Sequence, residues 1–311
     1  MSLFKKKLEP LPLRKNDELP HSKLGMTYKD WMVKNEDRHK WRNRRWIVLV
    51  FINVLFIISF ALDLSLLEGS LSGSRLIGFY LIDPYNTLQL LSISVKTGYL
   101  PHLTMNFIIG FFTIFIFYAM MGGRTFCSWI CPYHFLAEWG EKLHNYLVKK
   151  KKIKEHSFER GLRYVFWIGF IILAFATQRL VFETLNPVGI LSRAMIYGPG
   201  LILLWVLALI SFEIVYSKRF WCRYVCPIGA TWSMVGKVSP VAVKFELDKC
   251  GHCRKCQDVC LVPHELWFVT RGKATQEKHY AGSDCTRCGY CVDVCPGDAL
   301  NYTVKGLDKI L

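Results

Sequence analysis

Eight of the twelve cysteines fall into two copies of one spacing. Cys250, Cys253, Cys256 and Cys260, and again Cys285, Cys288, Cys291 and Cys295, each follow C-x2-C-x2-C-x3-C. Three close thiolates can wrap one corner of a [4Fe-4S] cube, and in a doubled run the fourth cysteine of each copy reaches the other cube. The spacing therefore assigns Cys250, Cys253, Cys256 and Cys295 to one cluster, and Cys285, Cys288, Cys291 and Cys260 to the other. The chemistry expected of such a pair is electron transfer. Zinc knuckles are the alternative, but tetrahedral zinc has no use for a close third cysteine followed by a fourth, repeated twice. The copies differ in one respect: Pro296 directly follows Cys295, whereas Pro263 comes two residues later after Cys260. The turn after Cys260 should differ accordingly.

The remaining four cysteines form a second duplicated motif, C-x3-C-P. Cys127 and Cys131 precede Pro132, and Cys222 and Cys226 precede Pro227. Cysteines four apart share one helical face, and a following proline biases the second away from helix and marks a turn. Three readings are open for these four thiols: ligands of a third iron-sulfur cluster, a cycling dithiol pair, or small buried core residues. Two matched pairs argue against simple packing, and soft thiolates select iron-sulfur or zinc.

The elements that must position these cysteines are apolar. The chain is 311 residues long, and its 52% hydrophobic content is too high for a plain soluble electron carrier. The surplus sits in residues 46–64, 106–121, 162–177 and 197–217, each near the length of about 20 residues that crosses a bilayer as a helix. The first and fourth are apolar on every face, unlike surface helices of a soluble core. The C-x3-C-P motifs follow the second and fourth runs, while Asp83-Pro84 and Asn186-Pro187 precede them, so the membrane part reads as a parallel internal repeat. Its pseudo-symmetry would bring the two cysteine pairs together at one membrane surface.

Charge orients the repeat. Thirteen Lys and Arg precede the first run, nine fall in the second connection (counting Arg163) and fourteen follow the fourth, against two in each of the first and third connections. The positive-inside rule then places both termini in the cytoplasm of a multi-pass inner-membrane protein. The net charge of +16 is a topological signal, together with attraction of tracts such as Lys149 to Lys152 to anionic lipid, and not a nucleic-acid footprint. No signal peptide is visible. The expected fold is an α-helical membrane protein with four transmembrane helices in a two-fold repeat, plus a small α+β module with two [4Fe-4S] clusters. The division is a basic cytoplasmic segment, partly disordered, over 1–45, a membrane domain over 46–240 and the cluster module over 241–311. All twelve cysteines then face a reducing compartment, where structural disulfides are not expected.

Ionisable residues in the runs are few. Glu213, nine residues before Cys222, is the candidate catalytic carboxylate, placed to accept a proton during quinol oxidation. The alternative is a membrane-edge ion pair with Lys218 or Arg219. Arg179, Glu183 and His102 lie at outer ends of runs and read as interfacial anchors. None of the nine histidines lies inside a run, which excludes a bis-histidine membrane haem. No strand-linked G-x-G-x-x-G is present, so dinucleotide binding is unsupported.

With these features in place the chain resembles the NapH family, ferredoxin-type membrane subunits of quinol dehydrogenases serving periplasmic nitrate reduction. The resemblance covers about residues 40–300. Its most specific stretches are residues 83–89, 126–132, Asn186-Pro187-Val188 and 221–230, which contain Asp83-Pro84 and both C-x3-C-P motifs. It implies electron flow from the quinone pool, through the clusters and a NapG-like iron-sulfur partner, to a periplasmic reductase or its cytochrome c donor. Nitrate and nitrous oxide respiration would both suit. Related architectures are MauN and the membrane part of NosR, whose periplasmic flavin domain this chain lacks. The other functional class is an assembly factor that uses the same clusters to reduce a metal or thiol during maturation of another enzyme.

Overall fold

The computed structural model describes residues 38–62, 67–71, 73–76, 79–98 and 105–306, with 27–33 and the single positions 11, 20 and 25. His102 and much of the 1–45 segment lie outside the described residues. Within that segment Tyr28–Val33 forms a short helix, α1, whose Trp31 is buried against Gly251 and Gly297.

The chain is mostly helical. Among the described residues one helix, α2 (Lys40–Ala61), is long and apolar enough to cross a membrane. Three shorter apolar helices follow: α4 (Met105–Met121), α7 (Leu162–Thr177) and α10 (Leu203–Val215). The fourth apolar run is thus shorter as a helix than its composition suggests. Gly198-Pro199-Gly200 breaks it, because proline cannot donate and Gly198 takes a left-handed φ of 95°.

The first connection is more than a loop. Strands β1 (Leu67–Ser70), β2 (Gly73–Leu76) and β3 (Phe79–Ile82) form an antiparallel sheet, and α3 (Pro84–Thr97) follows at once. Strand β3 lies directly on α4. A Cβ at Gly110 of that helix would fall 2.0 Å from the Tyr80 carbonyl oxygen, so only glycine allows this approach. Helix α3 packs on α7, where the Tyr85 hydroxyl donates to the Trp167 carbonyl at 2.8 Å and Gln89 Nε2 to that of Phe170.

The internal repeat is visible in the backbone. Helices α3, α6 (Pro132–Lys149), α9 (Pro187–Tyr197) and α11 (Pro227–Val235) each start with proline at the first position, where the missing N–H costs nothing. The residues before them, Asp83, Cys131, Asn186 and Cys226, share one extended conformation, with φ between −60° and −67°. Short helices α5 (Thr125–Trp129) and α8 (Val181–Leu185) complete this part.

The C-terminal module is α+β. Strand β4 (Val241–Glu246) lies between β5 (Lys278–Tyr280) and β6 (Leu300–Val304), antiparallel to both. Two four-residue helices, α12 (Lys255–Asp258) and α13 (Tyr290–Asp293), carry Cys256 and Cys291. Phe245, Leu266, Phe268 and Leu300 are buried with the cysteines in one core.

Candidate electron-transfer site

The two C-terminal runs fold alike. His252 and Arg287, two residues after the first cysteine of each, and Arg254 and Gly289, four after, all have left-handed φ, between 51° and 81°. Such alternation turns successive backbone N–H groups towards the thiols and makes a concavity suited to an anion. The amide of His252 donates to Cys250 Sγ at 3.4 Å, and that of Ala299 to Cys295 Sγ at 3.2 Å. The fold gathers the cysteines into two sets. Burial pushes the Cys256 thiol up, and the neighbouring Cys295, Cys250 and Cys253 add to it. Burial likewise raises Cys291, with Cys260, Cys288 and Cys285 beside it. The turn after Cys260 leads into a 3-10 segment, Pro263–Val269, whereas Cys295 closes directly back to Ala299.

The four C-x3-C-P cysteines converge as well. Cys127, Cys131, Cys222 and Cys226 line one cavity together with Arg124, Arg219, Tyr133 and His134. Cys127 sits on α5, and Cys222 on a wide turn of π type, Trp221–Val225. Cys131 and Cys226 occupy the N-cap positions of α6 and α11. All four thiols are free, and burial raises each of them, Cys226 to about 12. A single zinc ion would hold four sulfurs about 3.8 Å apart, given Zn–S bonds of ~2.3 Å. Among the described residues the only group of three potential ligand atoms within 4.8 Å of one another is His264, Glu265 and Asp284. Among the described residues no three cysteines come within that distance of one another. The buried guanidiniums of Arg124 and Arg219 line the same cavity, paired with Asp284 and Glu141 respectively.

The cavity joins the two halves of the molecule. Its lining includes Thr286, next to Cys285, and Leu261 and Val262, which follow Cys260. Ser128, between the cysteines of the first C-x3-C, donates to the Thr286 carbonyl at 2.7 Å, and Trp129 Nε1 to that of Arg287 at 2.9 Å. Arg287 Nη1 in turn donates to the Gly122 carbonyl at 2.8 Å. Gly122 has φ 113°, and a Cβ there would strike the Arg287 guanidinium. Asp284 is clamped by Arg163 at 2.8 Å, Arg124 at 3.3 Å and His264 at 3.1 Å.

Glu213 is buried on α10, and its Oε1 accepts the Trp221 backbone N–H at 2.9 Å. The cations of the alternative reading, Lys218 and Arg219, are paired elsewhere. Lys218 pairs with Glu155 at 2.7 Å, and Arg219 pairs with Glu141. Glu183 is held by Arg193 at 2.6 Å.

A buried polar network went unnoticed in the sequence. Arg45 of α2 donates to His134 Nε2 at 2.6 Å and bonds Glu138 and Tyr290, while Arg219 faces His134 Nδ1 at 3.3 Å. Burial, then Arg219 and Arg45, holds the His134 pKa well below its ordinary value. The legible hint was an arginine three residues before each C-x3-C, namely Arg124 and Arg219.

Comparison with known proteins matches this geometry. Residues 103–154 and 198–246, the two halves of the repeat, match the family described as "4Fe-4S binding domain", and residues 282–301 match a second family of the same description. The ferredoxin-type protein NapH of Escherichia coli K12 is 31% identical over 87% of this chain and 93% of its own length. The chain belongs to the NapH/MauN family. NapH of Haemophilus influenzae is 30% identical over 87% of the chain and 94% of its own length. The methylamine utilization ferredoxin-type protein MauN of Methylorubrum extorquens is 28% identical over 86% and 90%. No solved structure matches. Membership makes this NapH/MauN-like chain an iron-sulfur electron-transfer protein.

Proposed function

We propose that the protein is the membrane subunit of a quinol dehydrogenase that passes electrons from quinol, through iron-sulfur clusters, towards a periplasmic reductase of nitrate or nitrous oxide respiration. The observation that carries this reading is the shared cavity wall. Residues flanking Cys285 and Cys260 line the same space as the four C-x3-C-P thiols, so a donor site in the helical part and the terminal cluster module would be in series.

In this reading Cys127, Cys131, Cys222 and Cys226 hold a third cluster. Cys285, Cys288, Cys291 and Cys260 hold the next, and Cys250, Cys253, Cys256 and Cys295 the last. Each cluster supplies one-electron storage. The apolar helices α2, α4, α7 and α10 would be the four spans, both termini cytoplasmic, the shorter ones extended by their flanks. Partners would be the quinone pool, a NapG-like iron-sulfur protein and a reductase or its cytochrome c donor. Glu213 is the proton acceptor of this reading: its carboxylate accepts the Trp221 N–H, supports the turn that carries Cys222, and faces the Tyr133 hydroxyl.

The test is anaerobic mixing of purified protein with quinol while the cluster absorbance is followed. Wild type should be reduced, and Glu213→Gln should be slowed on the order of 10²-fold, the usual value of one proton-transfer group, with dithionite reduction and iron content unchanged. Clusters that no quinol reduces would end the dehydrogenase reading and favour a maturation role. A Gln variant as fast as wild type would leave Glu213 a structural anchor for the Trp221 turn.

A further inference from the structure

A second cavity, of about 200 Å³, lies behind the four-thiol site. The two share Phe126, Val188 and Ile228 as a common wall. Only a single layer of apolar side chains therefore separates them. Most of its lining is apolar, from Ile52 and Phe56 of α2, Leu81 and Ile82 of the β3 strand, and Ile114 of α4, with Tyr118 and Trp232 as aromatic walls. A cavity of roughly 150 Å³ admits a benzene ring, so one aromatic head group fits here.

Besides Ser74 of β2, two polar groups break this surface, and they are the pseudo-symmetric caps of α3 and α9. Both carboxylate oxygens of Asp83 are buried without a hydrogen-bond partner. The amides of Tyr85 and Asn86 face the carboxylate without completing a cap. Asn186 is fully buried; its Oδ1 accepts the Val188 N–H at 3.1 Å, which leaves Nδ2 without a partner. Buried polar groups are rarely left unsatisfied, and a bare carboxylate is the costliest case. One acceptor and one donor in an apolar slot are the complement of a ring with oxygens at opposite ends.

We infer that this cavity holds the head group of a lipid-soluble hydroquinone, with Asp83 accepting from one hydroxyl and Asn186 Nδ2 donating to the other oxygen. The inference rests on the quinol reading above and deepens it by giving the donor site. On oxidation both O–H bonds break and the ring becomes the quinone. Two electrons would leave one at a time across the Phe126, Val188 and Ile228 wall, accepted by the iron-sulfur centre that the four thiols would hold. Asp83 takes the proton of the hydroxyl it faces and passes it to water; the proton of the other hydroxyl leaves by way of water, and Glu213 is its acceptor in the quinol reading above. The placement of Asp83 depends on β3 lying against Gly110, which explains why the first connection is folded back onto α4.

The experiment uses the full anaerobic protein in nanodiscs, with menadione as the binding probe in equilibrium dialysis and menadiol as the reductant. Three variants separate the roles. Ile114→Trp fills the cavity; Asn186→Asp keeps the α9 cap but removes the donor; Asp83→Asn keeps shape but not basicity. Wild type should bind menadione saturably. Ile114→Trp should abolish binding, and Asn186→Asp should weaken it about tenfold, the scale of one hydrogen bond. Asp83→Asn should bind normally but be reduced by menadiol roughly 10²-fold more slowly. Iron content and dithionite reduction verify that each variant is folded, and Ile114→Phe replaces the Trp variant if that one loses iron. Variants that bind and react like a menadiol-competent wild type overturn this site and leave the quinol reading standing. A wild type that neither binds menadione nor is reduced by menadiol overturns both.

Discussion

The carboxylate of Asp293 accepts the backbone N–H of Trp41, 252 residues earlier in the chain, at 3.0 Å. It also accepts that of Arg42, again at 3.0 Å. The first turn of the longest apolar helix is thus capped by the cluster module, since His39 at its own cap position makes no side-chain bond. A buried carboxylate at a helix N-terminus satisfies orphan donors and meets the positive end of the helix dipole.

Asp293→Ala should therefore loosen the module from α2 and lower stability by about 1 kcal/mol, the usual value of an N-cap. Thermal unfolding in detergent reads the change, and Asp293→Asn should recover most of it. An alanine variant as stable as wild type would show that the contact is incidental.

Iron content separates the readings of the C-x3-C-P cysteines. Three four-iron cubes give about 12 iron per chain and two give about 8. Anaerobically purified wild type should show the higher figure, and the Cys127→Ser/Cys222→Ser double variant the lower. Equal values near eight in both would remove the third cluster.

Reporter fusions test the four-span topology. Fusions after Ser74 and after Arg193 should behave as periplasmic, and those after Lys151 and Leu311 as cytoplasmic, because the Lys and Arg asymmetry is large. A periplasmic Leu311 would reverse the direction of electron flow.

His134 predicts acid sensitivity. Guanidiniums only donate, so the imidazole between Arg45 and Arg219 must be neutral to accept, which it can do at one ring nitrogen: Nε2, 2.6 Å from Arg45. Its pKa is lower in the folded chain than in the unfolded one, so unfolding takes up a proton in acid. The stabilisation is complete above the unfolded value of about 6.5 and is lost as pH falls below it, by at most about 1.4 kcal/mol per pH unit. The thermal midpoint should fall on going from about pH 7.5 to 5.5, and His134→Gln, neutral throughout, should flatten that dependence. An equally steep profile in the Gln variant would assign the acid sensitivity elsewhere.

Cysteine spacing was the most legible part of the sequence, because a cluster motif is local: each of the terminal runs completes its own turn within eleven residues. The repeat was legible too, through four prolines that each start a helix. Apolar runs were legible as helices, but not their ends, which Gly198-Pro199-Gly200 and the early start at Lys40 decide. The buried arginines and the Asp83 and Asn186 caps were not readable as a site. Arg45, His134 and Tyr290 come from three distant segments, and their meeting is set by how the cluster module docks. Polar residues flanking apolar runs look like interfacial anchors until the packing shows which way they face.

Helices α6, α9 and α11 begin at the four-thiol cavity, where the buried side chains of Arg124 and Arg219 also point. Each helix N-terminus carries about half a positive charge, and a low-dielectric site screens little of it. The field selectively stabilises the reduced, more negative form of any redox centre held there. Such a centre should have a reduction potential well above those of the two terminal clusters, which a potentiometric titration with separate spectral signatures would resolve. A weak reductant could then load the first station, and onward transfer would run uphill unless the final acceptor kept the later stations drained.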